Sequence, residues 1–361
     1  MNLSLPVIES SNPIFRDCSP LDFDKREVNA ATLAFERELH EKLLLSDLDG
    51  CEILFKDFIK VLEGYFYNQT KLNYSYEPVI KQYLKRFADQ FAQFSYRVVK
   101  KNGIFDCPDG KIVATVKHGI VDKIITLLQP EIAYVKSKNP RIDFRGYDRC
   151  KIFNKRRFFN SYSKLGRLDN ILKADPNYQK YAYDKGFGLH SFTLHYSTSE
   201  DVVHYQLGLW RDPQNRKKLS TKYLQCHYDP DPENIKSIFY LSSVKNRSQG
   251  PFKYINGSSD LSIANILERI SGATMCGINL LETYEKRLFF SSLPDRLMHH
   301  NIFGSLLEQQ QLDKINLDKL LRPIYGDAGT FILFDPLGIH SGGFCTEKSS
   351  RLNLQMIFKK H

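Results

Sequence analysis

The sequence predicts an α+β protein with a mainly β core, an antiparallel barrel or sandwich preceded by helices. Three observations carry this. Up to about residue 135 apolar residues recur at helical spacing; beyond Gly186 the period shortens to that of strands; and a Leu-rich helical stretch between Leu261 and Leu321 interrupts the strands before they resume at Gly329. Strands, inserted helices and strands again are not the alternating strand–helix units of a parallel sheet.

The first 22 residues, rich in Ser, Pro and Asn, read as an irregular lead-in. Leu33, Phe35, Leu39, Leu43 and Leu44 then mark a helix. Asp47-Leu48-Asp49-Gly50 breaks it, and Leu54, Phe55, Phe58, Ile59, Val61, Leu62 and Tyr65 mark the next. A third helix is expected over Val79 to Val98 and a fourth from about Ile120 to Val135. Their apolar stripes are packing surfaces, and residues 1–95 are expected to form an N-terminal helical region that shapes a substrate entrance, makes a dimer contact or buttresses the β core. Strands are expected at Leu189 to His195, Val202 to Trp210, Tyr223 to Asp229, Ile235 to Val244, Gly329 to Phe334 and Arg351 to Phe358. No internal repeat or low-complexity segment occurs.

A chain of 361 residues with 42% hydrophobic content can bury a large core. Its seven cysteines are odd in number and scattered, never Cys-x-x-Cys, so neither a disulfide framework nor a structural zinc site is indicated and a reducing, cytoplasmic compartment is expected. The N-terminus lacks a basic leader, and no stretch approaches the roughly 20 apolar residues of a membrane span. No export and no membrane partner are expected. The net charge of +10 is uneven: Lys136 to Arg167 holds eleven Lys/Arg against Asp143 and Asp148, a net +9. Interleaved with Phe144, Tyr147, Phe153, Phe158, Phe159 and Tyr162, this stripe reads first as a solvated basic face, and second as a receiver of an anionic partner.

Four residues carry chemistry. In Cys226-His227-Tyr228-Asp229, strand parity puts His227 and Asp229 on one face, able to reach one metal ion. Taken alone the pair reads better as a buried histidine hydrogen-bonded to a neighbouring carboxylate. Further on, Gly326-Asp327-Ala328-Gly329 is a tight turn feeding an apolar strand, and Asp335-Pro336-Leu337-Gly338-Ile339 breaks that strand just before His340. Arg351 follows eleven residues later, where a hairpin return would bring it near His340. Two imidazoles and one carboxylate are the ligand set of a non-heme Fe(II) oxygenase, and a planar guanidinium suits bidentate binding of an organic acid.

On these residues the chain resembles the Fe(II)/2-oxoglutarate-dependent oxygenases, and among them the phytanoyl-CoA dioxygenase-like branch. The matching pieces are His227-Tyr228-Asp229; Ile235 to Val244 with Gly250-Pro251-Phe252 and Asn256-Gly257-Ser258; Gly329 to Asp335 leading to His340; and Arg351. They span roughly residues 185–361, with a looser similarity back to about 96. The resemblance implies a double-stranded β-helix (jelly roll) over residues 96–361, flanked by helices and carrying a helical insertion at about 259–325. It implies Fe(II) held by His227, Asp229 and His340, with 2-oxoglutarate bound to iron and paired to Arg351. Gln206 is a further candidate for the co-substrate, and Gln225 competes for that role. With O2 as oxidant, a C–H bond of a small-molecule substrate would be hydroxylated with release of succinate and CO2; anionic and carrier-linked substrates are among the candidates. A retained Asp229 favours hydroxylation, since the related halogenases lack that carboxylate. The insertion is long for this branch and the N-terminal helices have no counterpart in it, so the substrate pocket does not carry over.

Competing readings are weaker. An AlkB-type nucleic-acid demethylase would share the triad, but Ile357 stands where its terminal motif has a second arginine, and a nucleic-acid partner is disfavoured. A Jumonji-type protein hydroxylase would anchor the co-acid with a lysine, for which Lys236 is the one candidate. A zinc enzyme or cupin isomerase would leave Arg351 idle, and a non-catalytic jelly-roll binding protein would leave all four residues idle. His190, His195, His299 and His300 read as surface or satisfied core.

Overall fold

The computed structural model describes residues 24–70, 77–100, 107–138, 142–145, 149–152, 161–198, 227–229, 233–259, 266–276, 292–297, 320–343 and 345–360. The chain forms two compact units: one of residues 1–103, 228–232 and 260–316, the other of 104–227, 233–259 and 317–361.

In the first unit, α1 (Arg26–Leu44), α2 (Leu48–Thr70) and α3 (Glu77–Lys100) meet the helical expectations. Helix α1 buries Val28, Thr32, Phe35, Leu39 and Leu43, a single stripe at the 3.6-residue period. Its end is set by Ser46, whose φ of 59° no helix continues, and by Asp47, whose carboxylate accepts the Gly50 N–H at 2.8 Å and caps the start of α2. Aromatic rings fill the three-helix seam: Phe35 stacks on Phe58 and Phe55 on Phe91, each at 4.1 Å between centroids. Much later in the chain α7 (Ile266–Cys276) joins the same unit, held to α3 by Arg86 Nε donating to the Thr274 carbonyl at 3.2 Å and by a 3.5 Å contact between the Tyr83 and Ser271 hydroxyls.

The second unit is built on an antiparallel seven-stranded sheet. Its strands are β1 (Lys111–Thr115), β2 (Ile142–Arg145), β3 (Arg149–Ile152), β4 (Phe187–Thr198), β5 (Asn234–Tyr240), β8 (Thr330–Phe334) and β10 (Ser350–Lys360). In space they run β1-β8-β5-β10-β4-β2-β3. A smaller antiparallel sheet, β7-β6-β9, comprises β6 (Phe252–Tyr254), β7 (Arg322–Ile324) and β9 (His340–Ser341). The pairing rules out a parallel βαβ arrangement, as the sequence predicts.

Alternation along the strands divides the core in two. One face of the large sheet, with Phe192, Leu194, Phe239, Phe331, Leu333, Leu352, Leu354, Met356 and Phe358, packs on α4 (Ile120–Lys138), α5 (Ser161–Lys173) and α6 (Pro176–Tyr181). From the other face Ile238, Tyr240, Ile332 and Phe334 pack with Phe252, Tyr254 and Ile324 of the small sheet. Strand β5 stops at Tyr240 rather than Val244, because the N–H groups of Leu241 and Ser242 both turn to the Leu352 carbonyl, at 3.0 and 3.1 Å. Gly329 has a φ of +94°, the left-handed conformation that lets the turn enter β8. The basic stripe supplies β2, β3 and the start of α5; within it Lys164 is ion-paired to the fully buried Glu131 of α4, so that charge belongs to the core. Among the described residues no helix is long and apolar enough to cross a membrane. The expected strand from Val202 to Trp210 lies outside the described residues, as do His299 and His300.

One buried carboxylate ties the helical layer to the sheet edge. Asp175, fully buried, accepts from Asn177 N and Tyr178 N at 3.0 Å each, capping α6 with Pro176 at its first position, and from Lys117 N at 2.7 Å. Asp175→Ala removes the cap and strands a backbone donor. Urea unfolding of that variant is expected to show a loss of about 2–4 kcal/mol with an unchanged slope.

Candidate metal centre

His227 and His340 face each other across a single antiparallel bridge. Each donates its N–H to the other's carbonyl, at 2.9 and 2.8 Å. Directly opposed residues of such a bridge project to the same side, and the two imidazole centroids lie 4.4 Å apart. Asp229, two residues on, brings its carboxylate to the same place: one ligand atom from each of His227, Asp229 and His340 falls within 4.8 Å of the others. Tyr228, between them, is fully buried. Of the expected strand from Tyr223, only 227–229 fall among the described residues. Gln206 and Gln225 lie outside them.

The break expected before His340 has a defined construction. Asp335 accepts the Leu337 N–H at 3.0 Å, and its carbonyl accepts both the Gly338 N–H at 3.1 Å and the Tyr254 hydroxyl at 3.0 Å. The Gly338 carbonyl then lies 2.8 Å from His340 Nδ1, so Nε2 is the nitrogen that could face an ion. A Cβ at Gly338 would come within 1.9 Å of the Tyr254 hydroxyl oxygen, so only glycine lets the turn pass that ring. The His340 ring, 3% exposed, rests on Phe334 and Phe252 at 4.9 and 5.7 Å between centroids.

Arg351 does not sit on a simple hairpin return beside His340. Strand β10 occupies the middle of the large sheet, between β5 and β4, and Arg351 is in register with Ser197. It is 7% exposed, and its Nε donates to Asn353 Oδ1 at 3.3 Å. Asn353 pairs with Tyr240 on one side and His195 on the other, so these four residues share the sheet face that looks toward the small sheet. Burial pushes the Tyr240 hydroxyl above its usual pKa; the Phe252 N–H, donating to it at 3.0 Å, and the Arg351 charge pull the other way. Tyr240 thus links Arg351 to Phe252, which lies against His340. Sequence reading missed Tyr240, Asn353 and His195 as neighbours of Arg351. Counting by twos from Arg351 reaches Asn353; the cross-strand partners have no signal in one chain. The exposed His190 fits the surface reading, whereas the half-buried His195 belongs to this polar face.

The donor set suits a first-row metal. Three donors bound at about 2.1 Å sit roughly 3–4 Å apart, so donors already within 4.8 Å need only small side-chain movements to close on an ion. Two imidazoles and a carboxylate on one side of an ion leave the remaining positions for exogenous ligands.

No family model matches the chain, and no curated protein matches it in sequence. Solved structures similar to it include AviO1 from Streptomyces viridochromogenes Tue57, at 11% identity over 70% of this chain and 90% of that one, TM-score 0.36. Another is HygX from Streptomyces hygroscopicus with nickel and 2-oxoglutarate bound, at 13% identity over 72% and 86%, TM-score 0.37. A third is EctD from S. alaskensis, at 13% identity over 70% and 78%, TM-score 0.33.

Gly338→Ala is expected to displace the turn before His340. Overpacking should cost about 1–3 kcal/mol in urea unfolding, and Co(II) titration of the metal-free variant should show weakened binding.

Proposed function

We propose that this protein is an Fe(II)- and 2-oxoglutarate-dependent dioxygenase with a jelly-roll core, which hydroxylates a C–H bond of a small molecule. The single observation that carries the reading is the buried Arg351 on β10, held by Asn353 on the face of the large sheet that looks toward the small sheet, where His340 rests on Phe334 and Phe252. A zinc hydrolase would need the three donors alone. A buried guanidinium on the sheet facing His340 suits an organic acid that binds in that layer as well.

In this reading His227, Asp229 and His340 hold Fe(II), which supplies the oxidising chemistry once 2-oxoglutarate and O2 are bound. Arg351 binds the far carboxylate of 2-oxoglutarate. Asn353 accepts from Nε and so turns the rest of the guanidinium fork toward that carboxylate. Tyr240, its hydroxyl donating to the Ile324 carbonyl at 2.9 Å, stays protonated and closes one side of the layer. Phe252 and Phe334 keep water from His340. The hydroxylation outcome, rather than halogenation, rests on Asp229 occupying the carboxylate position. The substrate is expected to be a small molecule, with anionic compounds tested first because of the basic stripe. Lys136 and Arg167 are exposed for such a role, whereas Lys164 is taken by Glu131.

Anaerobic addition of Fe(II) and 2-oxoglutarate to the parent protein is expected to produce a weak visible charge-transfer absorption, absent from His340→Ala. Arg351→Gln should keep metal affinity and lose roughly 100-fold in 2-oxoglutarate affinity, and Asn353→Ala roughly 5- to 10-fold. No absorption in the parent, or unchanged 2-oxoglutarate affinity in Arg351→Gln, would sink the assignment. With a panel of free acids, carrier-linked acyl groups and phosphorylated compounds, mass spectrometry should find one product heavier by a single oxygen, matched by succinate. Decarboxylation without a gain of oxygen across the panel, or oxidation of neutral compounds alone, would count against the anionic substrate class.

A further inference from the structure

We propose that Arg269, on the inserted helix α7, is a positioning residue for the Asp229 carboxylate, acting through the ring of Tyr228. The guanidinium carbon of Arg269 lies 3.7 Å from the centroid of the Tyr228 ring, a face-on cation–π contact. Both partners are shielded from water: Arg269 is 3% exposed and Tyr228 fully buried. A desolvated guanidinium over an aromatic face holds that ring far more firmly than an exposed one.

Tyr228 lies between His227, held by its bridge to His340, and Asp229, so a ring that is clamped in place restrains the backbone on which the Asp229 carboxylate is carried. A short carboxylate has two side-chain torsions, and its reach toward an ion depends on the backbone that carries it. Helix α7 is itself anchored, through Arg86 to Thr274, Tyr83 to Ser271 and the Ser271 hydroxyl to the Leu297 carbonyl. The insertion therefore has a task besides covering the unit: it sets the orientation of one ligand. This inference rests on the reading of His227, Asp229 and His340 as metal ligands.

Two measurements on the full chain test it. Metal-free protein is titrated with Co(II) by visible absorption, and amide exchange at Tyr228 and Asp229 is followed by mass spectrometry without metal. Arg269→Met is expected to weaken Co(II) binding 10- to 100-fold and to speed exchange at those two amides, with β10 unchanged. Tyr228→Phe, which keeps the π face, should stay within about threefold of the parent, while Tyr228→Leu should fall as far as Arg269→Met. The double variant Arg269→Met/Tyr228→Leu should fall no further than either single one, because both remove the same contact. Parental Co(II) affinity in Arg269→Met, or losses that add in the double variant, overturns the proposal. If the parent itself takes up no Co(II), the metal-centre reading fails on its own, and exchange decides this inference: unchanged rates in Arg269→Met reject it, faster rates support it. Should Arg269→Met not fold, the comparison of Tyr228→Phe with Tyr228→Leu carries the same decision.

Discussion

The site depends on two backbone hydrogen bonds. His227 and His340 are 113 residues apart, and nothing local brings them together. What does is the reciprocal N–H to carbonyl pair at 2.9 and 2.8 Å, which places both imidazoles on the same side of the bridge. The remaining geometry follows from that register. Asp229 joins by being two residues along, and His340 Nδ1 is committed to the Gly338 carbonyl by the turn that delivers it. A slip of one residue would turn His227 and Asp229 away from His340. The close passage of Gly338 under Tyr254 and the Asx turn at Asp335 oppose such a slip, since each locks the chain just ahead of His340.

Much of this was legible in the sequence. Helical periodicity marked α1 to α4 because each buries one apolar stripe, while the break expected at Asp47 to Gly50 falls slightly earlier, at Ser46, with Leu48 to Gly50 already in α2. The turn leading to His340 follows from short-range turn chemistry, whereas His227 and Asp229 come together with His227 in a single bridge and no strand over 228–229. Strands β1, β6 and β7 escaped notice for a physical reason: at three to five residues they are too short to show a period, and they form because neighbouring strands offer an edge. The central place of β10, with Tyr240 and His195 either side of Asn353, is a matter of long-range pairing. A single chain carries no trace of which strand lies beside which. For the same reason a hairpin return was the natural expectation for Arg351, and the observed arrangement is a central strand whose neighbours come from distant parts of the chain.

Strand β10 shows how one segment serves both fold and chemistry. On one face Leu352, Leu354, Met356 and Phe358 enter the helix-covered core. On the other, Arg351 and Asn353 are almost as deeply buried, yet polar. Removing a guanidinium from water costs several kcal/mol, and buried ionic groups are often replaced by apolar residues with no loss of stability. The apolar alternation on the opposite face is what packs the strand onto the helices. In the proposed reading the cation in this layer, oriented by the Asn353 amide, receives the anion that binds there. Binding and stability then reside on opposite faces of the same strand, which is why substitutions at Arg351 and Asn353 should separate the two, whereas substitutions at Leu352 or Leu354 would not.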